Sequence, residues 1–136
     1  MGLCRTGSQM KQVLLVGAGG CVGAILRYKL GGLVLHQFPN SRFPYGTFAV
    51  NVAGCLLIGV VAGWIEHHHG VGADLRLLVI TGLLGGFTTF SAFGLETVYL
   101  LRRGLPMLAL ANAFGSVALG VLAVGIGLSV GTLLAK

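Results

Sequence analysis

The sequence predicts an all-α integral membrane protein with four transmembrane helices, the third of them broken. Three observations carry that expectation. Hydrophobic residues make up 55% of the chain and charged residues only 9%, at a mean hydropathy of +0.92; a soluble domain carries roughly 25% charge. Four apolar runs are each long enough for a hydrocarbon core, which needs about 20 helical residues. Within the third run, Gly85-Gly86-Phe87-Thr88-Thr89-Phe90-Ser91-Ala92-Phe93 interrupts apolar sequence near the expected bilayer midplane. Irregular backbone is tolerated at that depth only where it lines a cavity or holds an ion. That points to transport, and away from an enzyme or a passive anchor.

One compact domain accounts for the 136 residues, with a short N-terminal tail over 1–12 and a transmembrane domain over 13–136. The first helix is expected over 13–33, with Arg27 and Lys29 near its far end. The second covers 46–65, and Asn51 is its only strongly polar side chain. The third, over 75–101, holds the Gly/Thr/Phe interruption and Glu96. The fourth, over 105–134, is apolar apart from Asn112, Ser116, Ser129 and Thr132.

The connections carry breakers and charges: Pro39, Asn40 and Pro44, then His67-His68-His69-Gly70, then Arg102-Arg103-Gly104-Leu105-Pro106. The histidine triplet reads as a short loop of neutral imidazoles at the membrane surface, with metal binding as the alternative. Lys11 before an apolar run, and Ala18-Gly19-Gly20-Cys21, faintly suggest a lipoprotein leader. The apolar run continues past Cys21, so the segment reads as the first transmembrane helix. Met10 offers an alternative start that would make Met1 to Gln9 dispensable.

Glycine supplies 24 of the 136 residues, against a usual level of roughly 7%. Gly19/Gly23, Gly59/Gly63, Gly82/Gly86 and Gly127/Gly131 are small-xxx-small pairs that let helix backbones approach. At this glycine content some pairs arise by chance, and half are expected at interfaces. The net charge of +6 comes from scattered basic residues, which form no nucleic-acid patch and suit headgroup anchoring. Cys4, Cys21 and Cys55 lack metal or redox spacing and read as buried, inert thiols.

Four spans put Arg5, Lys11, Arg76 and Lys136 on one side, and Arg27, Lys29, Arg42, Arg102 and Arg103 on the other. Four against five is no positive-inside bias. The favoured reading is insertion in both orientations, with two opposite copies pairing as an antiparallel dimer. A preference hidden in the short loops is the alternative.

Ionisable and amide groups inside a membrane are functional candidates by default. Asn51 has two readings: an amide donor to an anion, or a structural tie between helices. Phe90 and Phe93, three apart, share a helix face. Their ring edges are positive and suit a dehydrated anion, although a Phe pair more often packs or faces lipid. Gly85, Gly86, Thr88 and Thr89 can offer carbonyl and hydroxyl oxygens to a small alkali cation, or close on one another in a simple kink. Glu96 reads equally as a proton carrier and as a paired structural carboxylate. Arg27 either snorkels to the interface or gathers anions at a pore mouth.

The Gly85–Phe93 run, followed by Glu96-Thr97, closely resembles the third-helix signature of the Fluc (CrcB) fluoride channels. Gly46-Thr47-Phe48-Ala49-Val50-Asn51-Val52-Ala53-Gly54 is similar to that family's second-helix motif. Gly19-Gly20-Cys21-Val22-Gly23-Ala24-Ile25-Leu26-Arg27-Tyr28 matches its first-helix pattern. The resemblance runs from Met10 onwards and is loose only in the fourth helix.

It implies an antiparallel dual-topology homodimer in the lipid bilayer of a bacterial inner membrane, with two narrow fluoride pores. Asn51 is then the pore-lining amide, Phe90 and Phe93 edge the fluoride pathway, and Thr89, Ser91 and Ser116 add hydroxyls. Asn112, four residues before Ser116, extends that track; some relatives carry Tyr there. Arg27 would stand at a vestibule and Glu96 toward the pore's other end. The carbonyls of Gly85 and Thr88 from both subunits would hold one structural Na+ on the two-fold axis. Conduction would be passive and would lower cytoplasmic fluoride.

A small multidrug-resistance-type proton-coupled exporter of cations is the main rival. Such proteins carry their essential Glu in the first helix, where this chain has no carboxylate. A non-transporting assembly subunit is a third reading, opposed by the clustering of Asn51, the interruption and the Phe pair. Only Glu66, Asp74 and Glu96 are acidic, and no nucleophile–base arrangement is visible. The chain is therefore not expected to be an enzyme.

Overall fold

The fold was described from a computed structural model covering residues 3–68 and 70–136, with side chains from Gly7 onwards and excluding His69. Met1, Gly2, His69 and the side chains of Cys4 and Arg5 lie outside the described residues, and so do the readings made of them. Helix α1 runs Leu3–Gln37, α2 Tyr45–His67, α3 Ala73–Arg76, α4 Gly85–Phe87, α5 Phe90–Arg102 and α6 Pro106–Leu134. A π-helical segment, Leu77–Leu84, joins α3 to α4.

Four stretches are long and apolar enough to cross a membrane: Gly7–Gln37, Tyr45–His67, Ala73–Arg102 and Pro106–Leu134. These are the four expected helices, and their ends differ from expectation in informative ways. Helix α1 is already helical at Leu3, inside the stretch expected as a tail. At about 1.5 Å per residue it outreaches a hydrocarbon core of roughly 30 Å, so its ends stand in the headgroup layer. Helix α2 also runs on through His67, into the expected loop.

Turn chemistry sets the other ends. The Ser41 hydroxyl accepts the Phe43 N–H at 3.1 Å in the first loop, and the Phe38 and Tyr45 rings stack across it at 4.6 Å. Gly104 takes φ +71° after α5, a left-handed conformation that glycine adopts without a steric penalty. Pro106 then opens α6 in its first turn, where its missing N–H costs no helical bond.

Glycine decides which helices touch. All four small-xxx-small pairs lie at contacts, twice the share expected. A Cβ on Gly19 would sit 3.0 Å from the Cα of Gly82, and one on Gly86 would sit 2.9 Å from the Cα of Gly20. α1 therefore meets the first half of the third span backbone to backbone. A Cβ on Gly59 would likewise sit 3.0 Å from the Cα of Gly127, and α2 packs along α6 over much of its length.

The buried apolar core is small: Val50, Ile65, Leu84, Phe87, Leu100, Ala109 and Ala123. Large apolar side chains cover the outside instead, as suits a chain solvated by lipid. Cys21 belongs to that outer surface rather than to the interior expected for it, because its side of α1 has no neighbour within the chain. Cys55 is half-buried.

Candidate functional site

Helix α4 stops at Phe87 and α5 starts at Phe90; Thr88 (ψ 159°) and Thr89 (ψ 118°) between them are extended. Side chains replace the helical bonds that this geometry forgoes. The Thr89 N–H, which a continuous helix would aim at Gly85 O, donates to Asn51 Oδ1 at 2.8 Å. Asn51 Nδ2 donates back to Thr89 O at 3.0 Å. One amide thus satisfies both polar groups of one peptide residue. The Thr89 hydroxyl accepts the Ala92 N–H at 3.3 Å and caps α5. Thr88 Oγ1 donates to Leu84 O at 3.2 Å.

Arg27 reaches the same place from α1. Its Nε donates to Gly86 O at 3.3 Å, half-buried, so it does not extend outward as a snorkelling residue does. It lines a cavity of about 210 Å³ together with Thr47 and Thr89.

A larger cavity, about 290 Å³, lies on the other side of Thr89. Asn51, Thr88, Thr89, Phe90, Phe93 and Ser116 line it. The Phe90 and Phe93 rings lie 5.4 Å apart at 40°, and Phe90 is 84% exposed. Ser116 Oγ is buried and has no partner among the described residues. An Asn amide carries two N–H groups, and only one of those on Asn51 is directed at Thr89. Asn51 and Ser116 therefore keep donor capacity beyond the bonds described. Ser91 is not in its lining; its hydroxyl lies 3.3 Å from that of Thr89.

Two further polar ties hold α5. Thr47 Oγ1 donates to Glu96 Oε1 at 2.7 Å, while Glu96 Oε2 is buried without a partner among the described residues. Glu96 also lines a third cavity, about 240 Å³, with Arg42 and Arg103 at the chain's loop end. Asn112 is 1% exposed and donates to Thr97 Oγ1 at 2.8 Å. It lines none of these three cavities.

Thr47 and Thr97 escaped the sequence reading as separate site residues. Thr47 had a signal: it stands four residues before Asn51, on the same face of α2. Thr97 stood only at the end of the third-helix signature, with nothing to point to its partner Asn112 on the next helix.

The resemblance implied a sodium ion at Gly85 and Thr88, and the local chemistry fits one. Gly85 O loses its helical donor to Asn51, and Thr88 O loses the Ala92 N–H to the Thr89 hydroxyl. Two carbonyls freed in this way are hard oxygen ligands of the kind that take an alkali cation.

The family model for CrcB-like protein, Camphor Resistance (CrcB), matches residues 14–128. This chain belongs to that family. It is 48% identical over 118 residues to the fluoride-specific ion channel FluC of Methylobacillus flagellatus, covering 87% of this chain and 92% of the relative. It is 50% identical over 122 residues to the FluC of Novosphingobium aromaticivorans, covering 89% and 96%. The FluC of Rhizobium meliloti is 49% identical over 120 residues, covering 88% and 95%. The family match reaches into all four spans, the loosely resembling fourth included.

Proposed function

We propose that this chain is a fluoride-selective passive channel of a bacterial inner membrane, which lets fluoride out of the cell. The observation that carries the reading is the 290 Å³ cavity, which Asn51 and Ser116, whose hydroxyl is unpartnered among the described residues, line together with Phe90 and Phe93. Fluoride is small and strongly hydrated, so a pathway must replace its water with donors and positive ring edges. Chloride, being larger, fits such a narrow track less well. The names of the relatives point the same way.

The functional unit in this reading is an antiparallel homodimer with two pores, supported by the balanced charge of the two faces and by the exposure of Phe90. The third span acts as a broken helix, whose interruption at Thr88–Thr89 sets Phe90 at the pathway. Gly85 O and Thr88 O of both subunits would hold a structural Na+, whose charge would tie the subunits together at the two-fold axis. Arg27 would serve the vestibule through its remaining N–H groups, and Glu96 the far end. Thr89 and Ser91 would complete the polar track. A negative-inside potential drives the anion outward by about 2.3 kcal/mol per charge per 100 mV.

The test is efflux from liposomes loaded with potassium fluoride, with valinomycin present and an electrode following external fluoride. Fluoride release without chloride release, abolished by Phe90→Ile or Phe93→Ile, is the expected result. Absence of fluoride flux from a folded dimer would overturn the reading.

A further inference from the structure

Asn112 is the most deeply buried large polar side chain described, and it lines none of the three cavities above. Its bonding leads to Phe93. Asn112 Nδ2 donates to Thr97 Oγ1 at 2.8 Å, and Thr97 Oγ1 donates to Phe93 O, also at 2.8 Å. The chain Asn112–Thr97–Phe93 thus ties α6 to the turn of α5 that carries the second ring of the candidate pathway.

The packing around α5 makes that tie consequential. Helix α5 makes few contacts with α2 and α6, whereas α6 lies along α2. Leu100 is the one buried apolar residue of α5. A helix so lightly packed can rotate or slide unless directional bonds hold it. Thr89 is held at its start by Asn51, and Glu96 is held on one face by Thr47. In the turn that follows Phe93, Glu96 is tied to α2, and Asn112, acting through Thr97, supplies the tie to α6 that ends on Phe93 O. A stranded buried donor or acceptor costs about 1–3 kcal/mol, so this geometry is strongly preferred over a shifted one.

We infer that Asn112 is a positioning residue for Phe93: by donating to the Thr97 hydroxyl it sets the rotation of α5 and so the place of the Phe93 ring. This rests on the fluoride-channel reading for its functional consequence, but the placement itself can be measured without conduction.

The experiment replaces Phe93 with 4-fluorophenylalanine and records its ¹⁹F resonance in fluoride-free bilayers, with the same label at Phe87 as the control. Phe87 is buried on the other side of the interruption. Asn112→Leu is expected to move or broaden the Phe93 signal and leave that of Phe87 unchanged. In liposomes the same variant should lower the fluoride-over-chloride flux ratio roughly five- to tenfold, the rate equivalent of one hydrogen bond. Thr97→Val, which removes the middle of the chain, should act in the same direction and stands in if Asn112→Leu does not fold. A Phe93 signal unchanged in the folded variant would overturn the inference, and so would an equal disturbance at Phe87. Loss of fluoride flux from the unsubstituted protein would instead overturn the channel reading, while the resonance would still report the placement.

Discussion

The part of the third span before Thr88 touches α1 through backbone atoms, whereas the part after Thr89 hangs on side-chain hydrogen bonds. In the first half, Gly19, Gly23, Gly82 and Gly86 remove every Cβ that would keep the two helices apart. In the second, Asn51–Thr89, Thr47–Glu96 and Asn112–Thr97 reach α5 from two different helices. Contact between backbones leaves no rotamer to adjust, so the first half is a rigid base. Hydrogen bonds are directional but leave space beside them, and that space holds the cavities. The candidate pathway lies on the half that is tied rather than packed.

Adding volume to the packed half should have the largest effect. A Cβ on Gly23 would lie 2.8 Å from the Phe87 N and closer still to Leu83 O, both backbone atoms. Neither can turn aside, so Gly23→Val should cost at least the roughly 1–3 kcal/mol typical of overpacking. Loss of a monodisperse, folded protein in detergent is the expected readout. Gly94 on α5 meets nothing within 4 Å, so Gly94→Ala should leave the protomer fold intact. If the two variants behave alike, the contrast between the halves is broken.

Next in size is Asn51→Ala. It leaves the Thr89 N–H unpaired in a membrane interior, at about 1–3 kcal/mol, while the Thr89 C=O keeps the first helical bond of α5. Fluoride flux should be lost, and hydrogen exchange should accelerate at the Thr89 amide before it does so in α4. Unchanged exchange at Thr89 would mean that Asn51 lines the pathway without holding the chain.

What the sequence revealed follows the same division. The spans were legible because apolar length is a local property, and the glycine pairs because their i,i+4 spacing is visible within one helix. The interruption was suspected from Gly85-Gly86 and the two threonines, since those residues leave carbonyls and hydroxyls to be satisfied. Which groups satisfy them was not legible. Asn51 left two readings open; the structure shows the tie, to Thr89, on a residue that also lines the larger cavity. Arg27 had two readings, snorkelling to the interface or standing at a pore mouth, and neither announced its bond to Gly86 O. The resemblance carried Asn112 into the Ser116 track, with Tyr at that place in some relatives, and its bond to Thr97 had no sign in the sequence. Partners distant in sequence leave no mark within a single helix.

A smaller loss is expected from Thr47→Val, which removes the donor on Glu96 Oε1 while keeping the side chain's shape. One net hydrogen bond is worth about 1 kcal/mol, and Thr47→Ser should retain it. Thermal melts of the three proteins in one detergent would check this. If Thr47→Val matched Asn51→Ala in severity, the Glu96 tie would be as central to α5 as the Thr89 clamp.

The smallest effect belongs to the ion pair between Lys11 and Asp74, which joins the packed half to α1 at the membrane surface. The two side chains are 65% and 47% exposed, so water and salt screen them, and such pairs contribute about 0–1 kcal/mol. Lys11→Ala should therefore shift the melting temperature little, and by less again at high salt. The backbone contacts between Gly19 and Gly82 already hold these helices together a short distance away, so a surface charge has little left to fix. A large, salt-sensitive loss on Lys11→Ala would show that the headgroup end of α1 depends on charge where its centre depends on glycine. The packed half would then be rigid only within the hydrocarbon core.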